Sequence, residues 1–240
     1  MQLEGKNSVF EALQAHKPLE KILTIANPTD NMSARILRMA REQKINIQYV
    51  SKSVLDSKSK TKHHQNFIGF IEEFNYCDVQ DILDNAKQKN KPPFIVILDG
   101  IQDPHNFGSI IRVCECANVD GIIIPKHRSV GVTETVSRTS AGAINHVSIA
   151  RVTNLNAEIE KLKEQNVWVY ALELGGENIY SQNLTGAIAI VVGSEGFGIS
   201  KLTKNICDGV LTLPMQGKVN SLNASVACGV AVFEANRQRC

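Results

Sequence analysis

The chain has 240 residues, enough for one large domain or two modest ones at ~150 residues per domain. Apolar residues make up 43% and charged residues 21%, proportions of a globular chain that exclude a disordered one. The net charge of +2 gives no sign of a strongly basic partner-binding protein, yet it is unevenly spread: residues 1–70 hold 11 Lys/Arg against 6 Asp/Glu, and residues 71–240 hold 15 against 18. A mild basic surplus in the N-terminal third suits a module that touches a polyanion, and it also arises by chance. The runs Phe94–Leu98 and Ala187–Val192 are far short of the ~20 apolar residues that span a bilayer, so no membrane partner is expected. Met1–Asn7 has no apolar core of a signal peptide, which points to the cytoplasm. The six cysteines form no CxxC pair and read as free thiols. His and Cys show no zinc spacing, so no metal is expected.

In chain order, Asn7–Ala15 carries apolar residues at helical spacing and Glu20–Ala26 reads as a strand. Asp30 or Ser33 is positioned to cap a helix running to Gln43. Ile45–Val50 alternates as a strand, Ser57–His64 is a polar, basic loop, and Asn66–Glu72 is a last strand. Residues 1–72 are therefore expected to form a small α/β domain. Residues 73–93 are lightly apolar and end in Asn90-Lys-Pro-Pro93, which cannot continue a helix; they are expected to be a linker with a short helix around Val79–Lys87. From Phe94 on, strands at 94–98, 121–125, 146–151, 167–172, 188–192 and 209–213 alternate with helical patterns at 106–118, 133–140, 154–165, 200–206 and 221–238. That order predicts an α/β fold over 94–240, a parallel sheet with helices on both faces, and ligands at the C-terminal ends of its strands.

Three loops at such strand ends stand out. The first, Asp99–Arg112, has neither GxGxxG nor GxxxxGK[ST], but it places Asn106, Gly108 and Arg112 at a helix start. The plain reading makes Asn106 the helix cap. Arg112, set among Ile110, Ile111 and Val113, is either a solvated surface residue or a buried, paired guanidinium. The second, Gly193-Ser-Glu-Gly-Phe-Gly-Ile-Ser200, has glycines for close approach or positive φ. Glu195 among them repels a phosphate and suits a cation or ribose hydroxyls; Ser200 is the expected cap of the next helix. The third, Pro214–Ala227, crowds Asn220, Ser221, Asn223 and Ser225 at a helix start, where Asn220 or Ser221 would cap and the others could bind phosphate or ribose. The helix beyond has Leu222, Val226, Val230 and Phe233 as its apolar side.

Taken together, Asn106-x-Gly108-x-x-x-Arg112, Gly193-x-Glu195-x-x-Gly198 and Pro214-Met-x-Gly217…Ser221-Leu222-Asn223-x-Ser225-x-Ala227 resemble the three signature motifs of the SpoU/TrmH family of RNA 2′-O-ribose methyltransferases, in the SPOUT superfamily. The resemblance covers residues from about 94 to 240. The N-terminal unit resembles the L30e-like substrate-binding domain of bacterial members of the RlmB type, which methylate a guanosine 2′-OH in the peptidyl-transferase loop of 23S rRNA. It implies a deep trefoil knot in the C-terminal domain, S-adenosylmethionine bound within it, and a homodimer formed through the knotted domains, with the Leu222/Val226/Val230/Phe233 stripe serving knot packing and dimerisation. By position, Gly193, Leu213 and Leu222 would contact the cofactor, and Asn106, Arg112, Glu195, Ser221 and Asn223 would form the catalytic cluster. Arg112 would align the 2′-OH and the adjacent phosphate, since a guanidinium with pKa above ~12 resists losing a proton, and Glu195 would orient Arg112 or a substrate group. Lys58, Lys60, Lys62, His63 and His64 are then candidates for RNA contact, with Lys218 a further phosphate contact. Two other readings stay open: a tRNA ribose methyltransferase of the same family, and a non-catalytic RNA-binding protein that has kept the fold.

Overall fold

Two stretches of chain fold on themselves, Met1–Asn75 and Tyr76–Cys240, in a computed structural model that describes every residue except 1, 18, 27–29, 72–73 and 219–220. The first contains β1 (Gln2–Glu4), α1 (Lys6–Gln14), β2 (Leu19–Thr24), α2 (Asn31–Glu42), β3 (Asn46–Tyr49), α3 (Lys52–Lys58) and β4 (Phe67–Ile71). Its sheet runs β1-β4-β2-β3, with β4 antiparallel to both neighbours and β2 parallel to β3. Asp30 caps α2 by accepting from the Ser33 amide at 3.0 Å. That helix then buries Ile36, Leu37 and Ala40 beside Val9, Ala12 and Leu13 of α1, over Ile22 and Phe67 of the sheet.

Two elements of this unit differ from expectation. β1 is three residues long, too short for alternation to register, and exists through its pairing with β4. The segment expected as a basic loop opens instead on the end of α3, whose single buried side chain, Leu55, leaves no periodicity to read. The expected end of the last strand, Glu72, lies outside the described residues.

The second unit contains α4 (Val79–Gln88), β5 (Phe94–Asp99), α5 (Pro104–Cys116), β6 (Gly121–Pro125), α6 (Glu134–Thr139), β7 (Ser148–Val152), α7 (Leu155–Glu164), β8 (Trp168–Asn178), β9 (Ile188–Gly193), α8 (Lys201–Ile206), β10 (Gly209–Thr212) and α9 (Ala224–Arg239). Its six strands are ordered β10-β8-β9-β5-β6-β7, every neighbouring pair parallel. Both faces are buried, as the continuous apolar runs require. Ile95 and Ile97 of β5 join Ala189 and Val191 of β9 under α4 and α7. The alternate residues Phe94, Val96 and Leu98 are buried on the opposite face, where α5 packs against α9. From β5 the chain proceeds outward through β6 and β7, then returns to build β8, β9 and β10 on the other side. The direction of winding therefore switches between β5 and β9, where such sheets open a crevice at the strand ends.

The linker expected at 73–93 is, from Tyr76 on, part of this second unit. Cys77 donates its amide to the Ile149 carbonyl at 3.0 Å, and Val79, Ile82 and Leu83 of α4 sit in the core. Ile82 lies so close over Gly121 that a Cβ there would stand 2.4 Å from its Cδ1. Pro92 and Pro93 do end the helical stretch, but the apolar spacing at 79, 82, 83 and 86 anchors it. β8 also runs past the expected end at Leu172. After a register shift between Val210 and Leu211, β10 pairs with Glu177 and Asn178. The backbone passes so near Val210 that only a glycine fits at Gly176, where a Cβ would be 2.1 Å from the Val210 carbonyl oxygen.

The apolar stripe expected to serve knot packing and dimerisation does not face the sheet. α9 buries Ala224, Cys228, Ala231, Val232 and Ala235, while Leu222, Val226 and Phe233 are exposed. The helix is apolar on two sides, and small residues, not the large ones, face the sheet, where they let α9 approach closely.

Candidate active site

The β5 loop enters α5 through Asp103, whose carboxylate accepts from the His105 and Asn106 amides at 3.1 and 3.2 Å, with Pro104 opening the helix. Asp103, not Asn106, is therefore the cap, and the Asn106 side-chain amide is free for another partner. It donates Nδ2–H to Glu195 Oε1 at 3.1 Å and accepts at Oδ1 from Asn223 Nδ2 at 2.9 Å. Asn223 Nδ2 also donates to Glu195 Oε1. The cap of α9 is Asn223 itself, whose Oδ1 accepts from the Ser225 and Val226 amides at 2.9 and 3.3 Å. Of the caps expected there, Ser221 does not serve and Asn220 lies outside the described residues. Each asparagine thus has its amide orientation set by partners on both ends, and one carboxylate oxygen of Glu195 is held by two donors.

The glycines of the β9 loop make this possible. Ser194 and Gly198 exchange backbone hydrogen bonds of 3.1 and 2.9 Å, closing a tight turn around Glu195. A Cβ on Gly193 would lie 2.2 Å from the Gly198 carbonyl carbon, and Gly198 has φ +64°, so both positions need glycine. Ser200 caps α8 as expected, and its amide binds Asp99 Oδ2 at 2.9 Å, tying the β9 loop to the end of β5. Gly108 has a packing role: a Cβ there would meet Thr139 Cβ of α6 at 2.6 Å.

Behind Glu195 opens a cavity of about 190 Å³. Gly193, Leu213 and Leu222, the residues proposed from the motifs to contact a cofactor, line it together with Ser221. Its remaining wall includes Leu172, Glu173 and Leu174 from the extension of β8, with Met215, Ala224 and Ala227. Sequence reasoning missed Glu173 because the expected strand stops at Leu172, one residue before it, whereas β8 runs on to Asn178. The Glu173 carboxylate pairs with Lys204 Nζ at 3.2 Å. A largely apolar wall, with carbonyl and amide groups at the glycine turn and a few polar side chains at the rim, suits a ligand that joins a flat heterocycle to a charged tail. Among the described residues no group of three or more His, Cys, Asp or Glu could hold a metal ion.

Arg112 stands apart from the cluster. It is exposed and its side chain has no hydrogen bond or ion pair among the described residues, so it is neither the buried, paired guanidinium nor the partner of Glu195. Six residues along an α-helix turn it by about 120° from Asn106 around the axis. Glu195 is oriented by two amides instead. Lys218 is exposed on the third loop.

In the first unit, Lys58, Lys60, Lys62 and His63 are exposed, and the loop that carries them is organised by one carboxylate. Glu4 accepts from the Lys60 and Thr61 amides at 2.6 and 3.0 Å, from Ser59 Oγ at 2.7 Å and from the Thr61 hydroxyl. Burial pushes the Glu4 carboxyl up, but the hydrogen bonds from Thr61, Ser59 and Lys60 outweigh it and hold it at about 2, below its ordinary 4.5. His64 does not belong with the other candidates. Its ring is buried, Nε2 lies 2.9 Å from Asp56 Oδ1, and Nδ1 accepts from the Asn66 amide at 3.0 Å. Both nitrogens are engaged within the fold, which leaves none for a ligand.

Comparison with known proteins places both units. The SpoU rRNA Methylase family matches residues 93–233, and the RNA 2′-O ribose methyltransferase substrate binding family matches residues 2–77. YacO of Bacillus subtilis, assigned by name to the TrmH family of tRNA/rRNA methyltransferases, is 40% identical over 237 residues, 98% of this chain and 94% of its own. A Staphylococcus aureus relative with the same family name is 42% identical over 237 residues, covering 98% and 95%. Among solved structures, the SpoU methyltransferase AviRb from Streptomyces viridochromogenes, in complex with AdoMet, shares the fold at TM-score 0.66 and 20% identity, over 100% of this chain and 90% of that one. The A. aeolicus TrmH/SpoU tRNA modifying enzyme aligns at TM-score 0.56 and 26% identity over 66% of this chain and 84% of its own. Three motifs set at the switch point of a parallel sheet, a family match over most of the second unit and full-length relatives lead to one conclusion: the chain belongs to the SpoU/TrmH family of RNA methyltransferases.

Proposed function

We propose that this protein transfers the methyl group of S-adenosylmethionine to a ribose 2′-OH in RNA, and that its target is a guanosine in the peptidyl-transferase loop of 23S rRNA, as in the RlmB type. The observation that carries this reading is the Glu195 carboxylate, fixed through Oε1 by the Asn106 and Asn223 amides at the mouth of the apolar cavity. Bound there, S-adenosylmethionine supplies an electrophilic methyl on a cationic sulfur. The chain's own residues do the rest. Glu195, with Oε1 occupied, presents its other oxygen to accept the hydrogen bond of the 2′-OH and to take its proton as the oxygen–methyl bond forms and the methyl–sulfur bond breaks, the electron pair of that bond leaving with S-adenosylhomocysteine. Asn106 and Asn223 keep that carboxylate from turning away, which is positioning of the kind that supplies much of such a barrier. Arg112, free of partners, meets the phosphate beside the ribose, and Ser221 lies on the cofactor side.

The finer parts of the reading have their own support. A separate substrate-binding unit over 2–77 favours rRNA over tRNA, since the tRNA modifying enzyme from A. aeolicus aligns with only 66% of this chain. Exposed Leu222, Val226 and Phe233 favour a homodimer in which a second copy covers α9, and because Leu222 also lines the cavity, that copy would finish its wall. A knotted path through the second unit and action in the cytoplasm complete the proposal. Incubation with methyl-labelled S-adenosylmethionine and either stripped 23S rRNA or tRNA, followed by digestion to nucleosides, tests it. 2′-O-methylguanosine from 23S rRNA is expected; label in tRNA alone would overturn the target, and label in neither would favour the non-catalytic reading. Arg112→Ala should leave melting temperature and cofactor binding unchanged and lower turnover by about 100-fold or more.

A further inference from the structure

Next to Glu195 lies a second cavity, of about 230 Å³, lined by the β5 loop and the tip of the β9 loop. It shares Ser194 and Glu195 with the first, so the carboxylate stands on the boundary of both. One wall is Phe197, which is 96% exposed. The other includes Gly100, Ile101 and Gln102. A phenyl ring left in water forgoes the burial that normally fixes it. The turn is closed by the paired Ser194–Gly198 hydrogen bonds. The facing loop is pinned too, since the Ile101 carbonyl accepts from the Val130 amide at 2.9 Å and from Ser129 Oγ at 3.2 Å. Gln102 is exposed and has no hydrogen bond among the described residues, which leaves both its donor and its acceptor free.

We infer that this cleft holds the base of the nucleotide being methylated, with Phe197 stacked on its face and Gln102 on its edge. The inference rests on the reading of Glu195 as the 2′-OH acceptor: with the ribose at Glu195 and the cofactor behind, the base, joined to the same sugar, is directed into the second cavity. A flat aromatic face and a free amide are the pair of groups by which proteins take up an unstacked RNA base. Among the described residues that line this cavity, Phe197 is the one aromatic. Trp168 begins β8, at the opposite end of the parallel sheet, and Phe233 lies far along α9.

The test uses the full chain and stripped 23S rRNA as the probe, with two readouts: methyl transfer, and RNA affinity in the presence of S-adenosylhomocysteine. Phe197→Ala should lower kcat/KM for the RNA about 10-fold or more. Phe197→Tyr should stay within about threefold of wild type, and Gln102→Ala should fall between them. Cofactor affinity and melting temperature should not move. Transfer by wild type with Phe197→Ala within twofold of it would overturn the inference and leave the methyltransferase reading standing. If wild type binds the RNA without transferring methyl and Phe197→Ala weakens that binding, the base contact stands and the methyltransferase reading falls. If wild type neither binds nor transfers, both fall.

Discussion

The two regions that face RNA in this reading use hydrogen bonds in opposite ways. At the strand ends of the second unit, polar side chains bind one another: two asparagines hold one oxygen of Glu195, and one of them is at the same time the cap of α9. In the basic loop of the first unit, the hydrogen bonding goes into the backbone. Glu4 takes the amides of Lys60 and Thr61, while the lysine side chains stay free in solvent. The difference follows from what each must recognise. A methyl transfer needs its oxygen aligned to within a fraction of an ångström, so its groups are preorganised. A phosphate backbone asks only for positive charge at about the right place, and mobile cations supply that.

The strongest way to break this comparison is to loosen the preorganised side without unfolding it. Glu195→Gln keeps the shape and offers a carbonyl to the two asparagines, but turns an amide donor towards the substrate. Transfer should fall by about 10²–10⁴-fold with little change in melting temperature. Asn223→Ser separates the two roles of that residue. Serine still caps α9, where removing the cap costs about 1 kcal/mol, but gives up the amide that holds Asn106 and Glu195. A melting temperature near wild type with a rate lowered at least about tenfold is expected; a normal rate would show that the network does not position Glu195.

How far the molecule is legible in its sequence depends on distance along the chain. The strands of the large sheet are readable because each is a locally complete apolar run buried on both faces. β1 and the far half of β8 are not, because each exists through a partner strand distant in sequence. The packed α4 is visible in the spacing of Val79, Ile82 and Leu83 but is masked by the proline pair that follows it. At the site, motif order correctly brings Asn106, Glu195 and Asn223 to one place, although 117 and 28 residues separate Asn223 from its two partners. What the motif does not convey is which residue caps which helix, since Asp103, Asn106, Ser221 and Asn223 are all competent caps and only geometry chooses. The six-residue spacing of Asn106 and Arg112 does convey that they leave one helix in different directions, but nothing in the sequence conveys that the second of two adjacent histidines is locked against Asp56.

On the mobile side of the comparison, the effect should appear in salt dependence and not in rate. Replacing Lys58, Lys60 and Lys62 with alanine should weaken RNA affinity and reduce the slope of log affinity against log salt by about 0.7–0.9 for each phosphate that is no longer neutralised. Turnover at saturating RNA should hold. An unchanged slope would remove these lysines from the interface, and a fall in turnover would mean that they align the substrate as well as attract it.

The smallest effect expected is on the anchor of that loop. Glu4 titrates at about 2 in the folded chain against 4.5 ordinarily, so its contribution to stability is complete above about pH 4.5 and disappears as pH falls towards 2. Asp30, whose carboxyl is also held low by Lys6 and Ser33, contributes acid sensitivity of the same sign, but it is present in wild type and variant alike. Glu4→Gln should therefore melt below wild type at pH 7, and the gap should close as pH falls from about 4.5 to 2, followed by circular dichroism. With the loop loosened, RNA affinity should drop modestly while the salt slope stays as in wild type, because the three lysines keep their charge and give up only their fixed backbone. A change in slope would mean that Glu4 sets how many phosphates the loop can reach, and the two regions would then differ less than the free lysine side chains suggest.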